Sequence, residues 1–489
     1  MTQWQPVILW TDGLAWFGIA LMLILLFASR AQMRAGWQRL WQHPLAVVSM
    51  LILLCYGSIG LLDSLHYRVR LPTINKRVQY SVTVYSVLDA LLTPLRTHNE
   101  TSYAAPLARR AFSATPERHA GGEVVEVRKP LQLGGQTPPH ARTELALRGA
   151  LYGGITGIGL LLAIVFIIRT FAARTTAPEQ HEAPCPEPKF LWLKFPWSRF
   201  PWSRFPWPRF PWPKFPWPRF PWRSFSLTLL FLSILIGSTV ELAGNFHVFG
   251  TNEIGQDVLY DSIKSVRTGL MMGCLATLVT LPLAVGLGLA AGYFGGWVDD
   301  LVQYIYTTLN AIPSVLLIAA TVLLMQGFIE THPAMFDSTA SRSDIRLLFL
   351  CVILGMTNWT GLCRILRGET LKLRELDYIQ AARAFGVPSW RILWQHLLPN
   401  LSHLILISLV MDFSGLVLAE AVLSYIGVGV DPSMHSWGNM INAARLELSR
   451  EPVIWWPLTA AFIGMFTLVL AANLFADAVR DAFDPLATR

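Results

Sequence analysis

Two carboxylates, Asp412 and Glu420, lie within an apolar run of membrane-spanning length. An ionisable side chain inside such a run is costly to bury and is treated as a functional candidate. Because the two are eight residues apart, a helix places them on roughly one face. Two roles stay open for Asp412: lining a path through the membrane, or bonding to another helix or to a partner subunit. We expect a structural or gating role for Glu420, which lies near one end of the run.

Residues for covalent or metal chemistry are not arranged as sites. The five cysteines lack metal-ligand spacing, and most lie in or beside apolar runs. His396 stands alone beside Leu-Leu-Pro, which is a weak metal signal. The sequence has no G-x-x-x-x-G-K-[ST] loop, so any ATP is expected on a separate chain. We therefore predict no catalytic residue, no metal ligand and no cofactor bound by this chain.

A polar segment, residues 377–400, separates two apolar runs. Apolar residues recur before and within it at helical spacing, which predicts a short amphipathic helix that includes Leu376, Ile379, Ala382 and Phe385. Gly386 and Pro388 end this helix, and a second helical pattern leads to Pro399. We interpret the segment as a docking helix for a soluble partner. The alternative is a membrane-surface helix without a partner.

The composition identifies the class of protein that carries these residues. Of 489 residues, 53% are hydrophobic and only 14% are charged, whereas soluble domains carry about 25% charged residues. Apolar runs of about 20 residues recur, which is the length that crosses a bilayer. We predict an all-α polytopic membrane protein. The net charge of +8 does not indicate nucleic acid, because Lys and Arg lie mostly in loops, where they set orientation and contact lipid.

Nine spans are predicted, at about 7–28, 46–62, 149–168, 226–244, 269–293, 302–325, 347–363, 401–427 and 454–477. The predicted organisation is 1–62 with two spans, 63–147 as a polar region, 148–168 as a third span, 169–225 as a linker, and 226–489 as a six-span core. Alternating residues at 78–85 suggest strands in the polar region. Glycines in the third span permit close helix packing; they are Gly153, Gly154, Gly157 and Gly159.

The linker contains a repeated unit, F-P-W-[S/P]-[R/K], within residues 189–225. Proline at this density forbids an α-helix and favours an extended path. Three interpretations remain open: a tolerated tandem duplication, adhesion to the membrane surface through aromatic and cationic side chains, and a specific partner site.

Charge in short loops predicts the orientation. Residues 364–399 hold six Lys and Arg, which predicts that this loop is cytoplasmic. Counting spans from it places the linker and the C-terminus in the cytoplasm, and the N-terminus and residues 63–147 outside. The turn at 295–300 is also cytoplasmic on this count, although it has no Lys or Arg.

The polar segment resembles the EAA loop of ABC importer permeases. The matching residues keep the family spacing, with Gln in place of the first Glu; they are Gln380, Ala381, Ala382, Gly386, Leu398 and Pro399. Four further motifs follow the oligopeptide/dipeptide/nickel branch in order, which makes the resemblance specific for residues 226–489. They are 250–259 (GTNEIGQDVL), 419–429 (AEAVLSYIGVG), 436–438 (SWG) and 478–485 (AVRDAFDP).

The resemblance implies a type I importer fold and the C-type permease of a pair, in the bacterial inner (cytoplasmic) membrane. It implies as partners a B-type permease, two cytoplasmic ATPase subunits that hold ATP-Mg, and a periplasmic or extracellular substrate-binding protein. The EAA residues would contact the ATPase. The motifs are shared by permeases for oligopeptides, dipeptides, nickel and peptide-like antibiotics, and they do not select a substrate. Residues 1–225 lie outside the resemblance. A secondary transporter and a membrane sensor are the alternative functions.

Overall fold

The computed structural model describes residues 4–7, 9, 11–12, 31–70, 80–81, 83–118, 124–135, 137–138, 140–175, 220–332 and 339–483. The helices of the N-terminal part are α1 (Ala31–Leu40), α2 (Pro44–Asp63), α3 (Val87–Leu91), α4 (Thr93–Thr97) and α5 (Ala141–Thr175). The FPW repeats up to residue 219 lie outside the described residues.

The helices of the C-terminal part follow the predicted core. They are α6 (Trp222–Ala243), α7 (Val258–Phe294), α8 (Gly296–Ala311), α9 (Ser314–Thr331), α10 (Thr339–Arg374), α11 (Asp377–Ala384), α12 (Ser389–Ile392), α13 (Leu398–Ile426), α14 (Trp437–Glu447) and α15 (Trp456–Phe483).

Eight helices in the described part of the chain are long and apolar enough to cross a membrane. They include α2, α5, α6, α7, α9, α10, α13 and α15. This confirms a polytopic helical protein. The predicted first span, 7–28, lies mostly outside the described residues. Its predicted start at Val7 is wrong, because Val7 closes strand β1 (Trp4–Val7), which pairs with β2 (His66–Val69).

The predicted span at 302–325 is not one helix. The chain breaks between α8 and α9 at Ile312 and Pro313, and Ile312 is extended, with φ −91° and ψ 130°. Proline disfavours the helical conformation at the residue before it, and it has no N–H to donate to the helix hydrogen bonds. The candidate spanning helix is therefore α9, and α8 precedes it as a separate helix.

The sequence suggested that the second helix of the polar segment ends at Pro399. In the structure the helix continues through this residue. One π-helical turn, Leu393–Leu397, connects α12 to α13, and the Leu398 N–H donates to the Leu393 carbonyl. Pro399 lies in the first turn of α13, where its missing N–H is tolerated. The π-helical turn before Pro399 therefore joins α12 to α13 without a break in the helix.

The polar region between α2 and α5, here called the lobe, contains short strands. Strands β1, β2 and β3 (Tyr85–Ser86) form an antiparallel sheet, and β4 (Thr115–Arg118) pairs with β5 (Val124–Val127). Of the strand predicted at 78–85, residues 78–79 and 82 lie outside the described part, Tyr80 bridges to Arg70, and Tyr85 begins β3.

The N-terminal part packs on the core. A Cβ on Gly153 of α5 would clash with the Ser233 carbonyl of α6, and one on Gly157 would lie 2.9 Å from the Ser233 side chain. Gly154 and Gly159 have open space instead, so only two of the four predicted glycines are at this contact. Helix α1 contacts the end of α15 through Trp37 and Phe483, whose ring centroids are 5.7 Å apart.

The core helices run between two opposite sides. The starts of α7 and α10 meet on one side, where Arg267 lies 3.5 Å from Asp344. We call this the lobe side, because Lys264 of α7 contacts Asp89 of the lobe there. The ends of α7 and α10 meet on the other side, where Arg374 reaches the carbonyl of Tyr293. The polar segment 377–400 lies on this second side, which we call the coupling side.

Candidate functional site

Helix α11 presents one face to the core and one to solvent. Ile379 is buried, and Ala382 packs beside it on a cluster formed by residues of α7, α8, α10 and α13. Gln380, Ala381 and Ala384 are exposed. The Gln380 amide donates to the Glu375 carbonyl at 3.1 Å, which ties the helix to the end of α10.

The end of α11 depends on Gly386. The Val387 N–H donates to the Ala382 carbonyl, and the Gly386 N–H donates to the Arg383 carbonyl, both at 3.1 Å. This is the Schellman pattern, in which the residue after the cap is left-handed. Gly386 has φ +74°, and a Cβ there would meet nothing within 4 Å. The position therefore needs glycine for its backbone conformation, not for space.

The apolar stripe predicted for this helix is only partly correct. Leu376 and Phe385 lie just outside the ends of α11, and Phe385 is 87% exposed. Trp390 and Trp394 are also exposed, at 64% and 61%. The coupling side therefore shows three large aromatic side chains beside the exposed face of α11.

The second half of the segment is anchored like the first. Leu398 is buried with Ile392 and Leu397 in the cluster that holds Ile379, and Pro399 is half-buried. The Asn400 amide donates to the Tyr378 hydroxyl at 2.9 Å, which joins the two halves directly. Sequence reasoning missed this bond, because it depends on how the two helices cross.

Arginines of α10 fasten the segment to neighbouring helix ends. Arg374 donates to the carbonyls of Gly292 and Tyr293 at 3.3 and 3.4 Å, where a cation is favoured at a helix C-terminus. Arg367 makes a two-point contact with Asp299 of α8, with Nη2 2.7 Å from Oδ2. The hydrogen bonds from this guanidinium hold the pKa of Asp299 below its usual range. Asp299, one of the two acids that follow α7, is thus paired with a residue of another helix.

The two intramembrane carboxylates have different surroundings. Glu420 is 2% exposed and accepts a hydrogen bond from Ser424 at 2.8 Å. Asp412 is half-buried, and its carboxylate forms no hydrogen bond or ion pair with any residue in the described part of the chain. Of the roles considered for Asp412, path lining and contact with a partner subunit remain predictions.

Glu420 belongs to a tight cluster on the lobe side, opposite the polar segment. A Cβ on Gly438 would lie 2.6 Å from Ser424 Cβ and 3.0 Å from Glu420 Oε1, so this close packing requires glycine. Trp437 is buried and donates to the Ser262 carbonyl of α7 at 3.1 Å. The motifs at 419–429 and 436–438, although separate in sequence, therefore form one structural unit.

The motif at 250–259 begins α7. Asp257 accepts from the Leu259 N–H at 2.8 Å as an N-cap, and its other oxygen lies 2.7 Å from His247. Asn252 accepts from the Gln256 N–H at 2.9 Å and donates to Asp261 at 3.1 Å. The Asn252 side chain therefore holds a hydrogen-bonded turn just before α7.

Comparisons with known proteins match the second half of the chain. The family model described as "Binding-protein-dependent transport system inner membrane component" matches residues 284–489. The chain is 31% identical over 242 residues to the oligopeptide transport system permease protein OppC of Mycobacterium bovis, covering 50% of this chain and 77% of that protein. It is 32% identical over 240 residues to the glutathione transport system permease protein GsiD of Pectobacterium atrosepticum, covering 49% and 72%. It is 30% identical over 239 residues to the dipeptide transport system permease protein DppC of Bacillus subtilis, covering 49% and 68%.

The long apolar helices and the family motifs define a multi-pass inner-membrane transport permease, a class of transporters rather than of enzymes. The chain belongs to the family of binding-protein-dependent transport system inner membrane components, the permeases of ABC importers. The resemblance predicted from the sequence is confirmed.

Proposed function

We propose that the chain is the transmembrane permease subunit of an ATP-driven importer that takes up peptides. In this proposal ATP-Mg is held by two cytoplasmic ATPase subunits, a B-type permease completes the path, and a substrate-binding protein delivers the cargo. Peptides are the proposed substrate class because the relatives reported above are named for oligopeptides, dipeptides and glutathione, itself a peptide.

The observation that carries the proposal is the exposed helix α11, held on a buried base. Its exposed residues Gln380, Ala381 and Ala384 form a small-residue surface that a partner can approach closely. Its buried Ile379 packs in one cluster with Leu289 of α7, Leu366 of α10 and Leu401 of α13. Interiors of this kind transmit strain, so a displacement of α11 by an ATPase would move three spanning helices.

The proposed orientation places the coupling side in the cytoplasm and the lobe outside. The basic residues of 364–399 support it, since cytoplasmic loops carry an excess of Lys and Arg. The proposed division of the chain remains 1–62, 63–147, 148–168, 169–225 and 226–489, with the N-terminus outside and the C-terminus in the cytoplasm. We retain Gln380, Ala381, Ala382, Gly386, Leu398 and Pro399 as the coupling residues, and Asp412 and Glu420 as path or gating residues.

The test uses the complex co-expressed with its ATPase subunits. Ala384→Asp adds a charge to the exposed face of α11, and we expect loss of ATPase co-purification and of uptake. Ala443→Asp, on an exposed position of α14 at the lobe side, is the matched control and should retain the ATPase. Normal ATPase retention and uptake by Ala384→Asp would contradict the proposal. Vanadate-insensitive uptake by the wild-type complex would indicate a secondary transporter instead.

A further inference from the structure

The N-terminal segment crosses from the lobe sheet to the core. Strand β1 pairs with β2, and beyond it the chain places Thr11 and Asp12 in buried positions, 0% and 8% exposed. The Thr11 N–H donates to Asp344 Oδ2 of α10 at 2.9 Å. We call the described residues 4–7, 9 and 11–12 the strap, and Thr11 and Asp12 its tip. The strap thus joins the lobe sheet to the start of α10, across 333 positions of sequence.

The Thr11 hydroxyl stands between a buried cation and a buried carboxylate. It accepts a hydrogen bond from Arg267 Nη2 of α7 at 3.0 Å and donates one to Asp344 Oδ1. The direct separation of Arg267 Nη2 from Asp344 Oδ1 is 3.5 Å. A close hydrogen bond between such charged groups is about 2.8 Å long. The pair therefore has room to close when Thr11 no longer bridges it.

Every charged group of this network keeps a partner if the tip leaves. Arg267 and Asp344 retain each other. Asp12 lies 3.5 Å from Arg267, but its Oδ1 is also 2.8 Å from His66 Nδ1 of β2, and its Oδ2 accepts from the Leu9 N–H at 2.6 Å. These last two partners belong to the lobe sheet and the strap. Separating a buried ion pair is costly chiefly because it leaves a charge unpaired, and departure of the tip avoids this.

A second contact between the lobe and the core lacks this property. Asp63 and Asp89 share one cation, Lys264 of α7, so separation there would leave two buried carboxylates without it. Ser86 is buried beside this contact, and its hydroxyl donates to Asp63 at 2.6 Å. We therefore expect the lobe to stay on α7 at this contact while the tip of the strap moves.

We propose that the strap tip is a latch between the lobe and the start of α10, and that it releases and reseats during transport. This rests on the proposed function, which supplies an ATP-driven cycle. In the seated state Thr11 bridges α7 and α10. In the released state Arg267 pairs directly with Asp344, and Asp12 stays with the lobe through His66. Two paired arrangements of this kind form a two-state element.

Helix α10 connects the latch to the coupling side. It carries Asp344 near its start and Arg374 at its end, where Arg374 contacts the last turn of α7 beside the polar segment. A displacement of the polar segment by an ATPase therefore reaches the latch along one continuous helix. Release frees the start of α10 from the lobe without removing its contact with α7.

The test follows access to the tip in the whole complex, with its ATPase subunits, in nanodiscs. Thr11→Cys is treated with a hydrophilic maleimide, with and without ATP-Mg and binding protein, and the labelling of the wild-type chain is subtracted. Labelling should be slow at rest and at least about tenfold faster during turnover, because a minor state is only about 0.1–10% populated. Ser86→Cys is the matched control. It makes the same hydroxyl-to-thiol change at the contact expected to stay closed, and it should remain unlabelled.

A second measurement needs no substitution. Hydrogen exchange at the Thr11 amide of the wild-type complex reports the bond from this amide to Asp344. Its protection should fall during turnover, whereas the amides of β2, which stay in the lobe sheet, should keep theirs.

The outcomes separate the two proposals. If the wild-type complex shows no ATP-dependent uptake, the proposed function fails and the latch fails with it. If uptake is normal and ATP changes neither the labelling of Thr11→Cys nor the exchange of the Thr11 amide, the strap is a static anchor and only the latch is overturned. Equal acceleration of labelling at Thr11→Cys and Ser86→Cys would mean that the whole lobe separates from the core, which also overturns the latch.

Discussion

Lys264 Nζ lies 2.6 Å from Asp63 Oδ1, although the two residues are 201 positions apart in the chain. The contact joins the family core to the end of α2, which precedes it. Both side chains are largely buried, at 11% and 4% exposed. The N-terminal part is therefore attached to the core by side-chain chemistry as well as by the linker.

Lys264→Met should destabilise the protein strongly. It would leave Asp63 and Asp89 buried without their cation, and removal of one partner from a buried ion pair costs about 3–5 kcal/mol. Lys372→Met is the control, because Lys372 pairs with Glu369 in solvent and such pairs contribute about 0–1 kcal/mol. Thermal unfolding of the purified protein in detergent measures both. Equal melting temperatures for the two variants would show that the Asp63 contact is not stabilising.

Substitutions at Gly386 should rank by their tolerance of a left-handed backbone. Gly386→Ala should weaken the end of α11 by about 1–2 kcal/mol, and Gly386→Asn should cost less. Gly368→Ala in α10 is the control, since it also meets open space but lies within a helix, where Ala is preferred. ATPase retention after gentle heating is the measurement. This ranking would be contradicted if Gly386→Asn lost the ATPase as completely as Gly386→Ala.

Gly438→Ala should disturb the lobe-side cluster around Glu420. The added methyl group would lie 2.6 Å from Ser424 Cβ, and overpacking of this kind costs about 1–3 kcal/mol. Gly415→Ala in the same helix α13 as Ser424 meets nothing within 4 Å and should be neutral or stabilising. Unfolding midpoints distinguish the two. A neutral Gly438→Ala would mean that α14 moves away from α13 at little cost.

The Asp299–Arg367 pair predicts a pH dependence with a defined sign. Because the pKa of Asp299 is lowered in the folded protein, the pair stabilises it above the unfolded pKa of about 3.9, and this contribution disappears as pH falls through the folded pKa. Asp299→Asn should therefore cost about 1 kcal/mol at neutral pH and almost nothing at pH values below the folded pKa. Unfolding of both proteins across this range is the measurement. A difference that grows on acidification would reverse the assignment.

Much of the core was predictable because its signals are local. Helix length and hydropathy located the spans, and Gly386 indicated the end of α11 because only a left-handed residue completes that cap. Pro313 was a local signal as well, but a run of hydrophobic residues on both sides concealed the break.

Contacts between distant segments were not predictable from one sequence. Nothing near Lys264 indicates that Asp63 and Asp89 will surround it, because the pairing depends on how α2 packs against α7. The exposure of Phe385 has a similar origin. Its spacing of three from Ala382 suggests one helix face, yet Phe385 follows the last residue of α11 and turns outward.

The π-helical turn at Leu393–Leu397 changes the rotational phase of everything that follows it. Ile392 and Leu397 are five residues apart and both buried in one cluster, whereas an α-helix would place them about 140° apart around its axis. The turn thus acts as a one-residue insertion that brings the coupling segment and α13 into alignment on a common core. The rotational position of the motif that ends in Leu398 and Pro399 therefore matches the buried face of α13. Family members that share the spacing of this motif should share the inserted residue too.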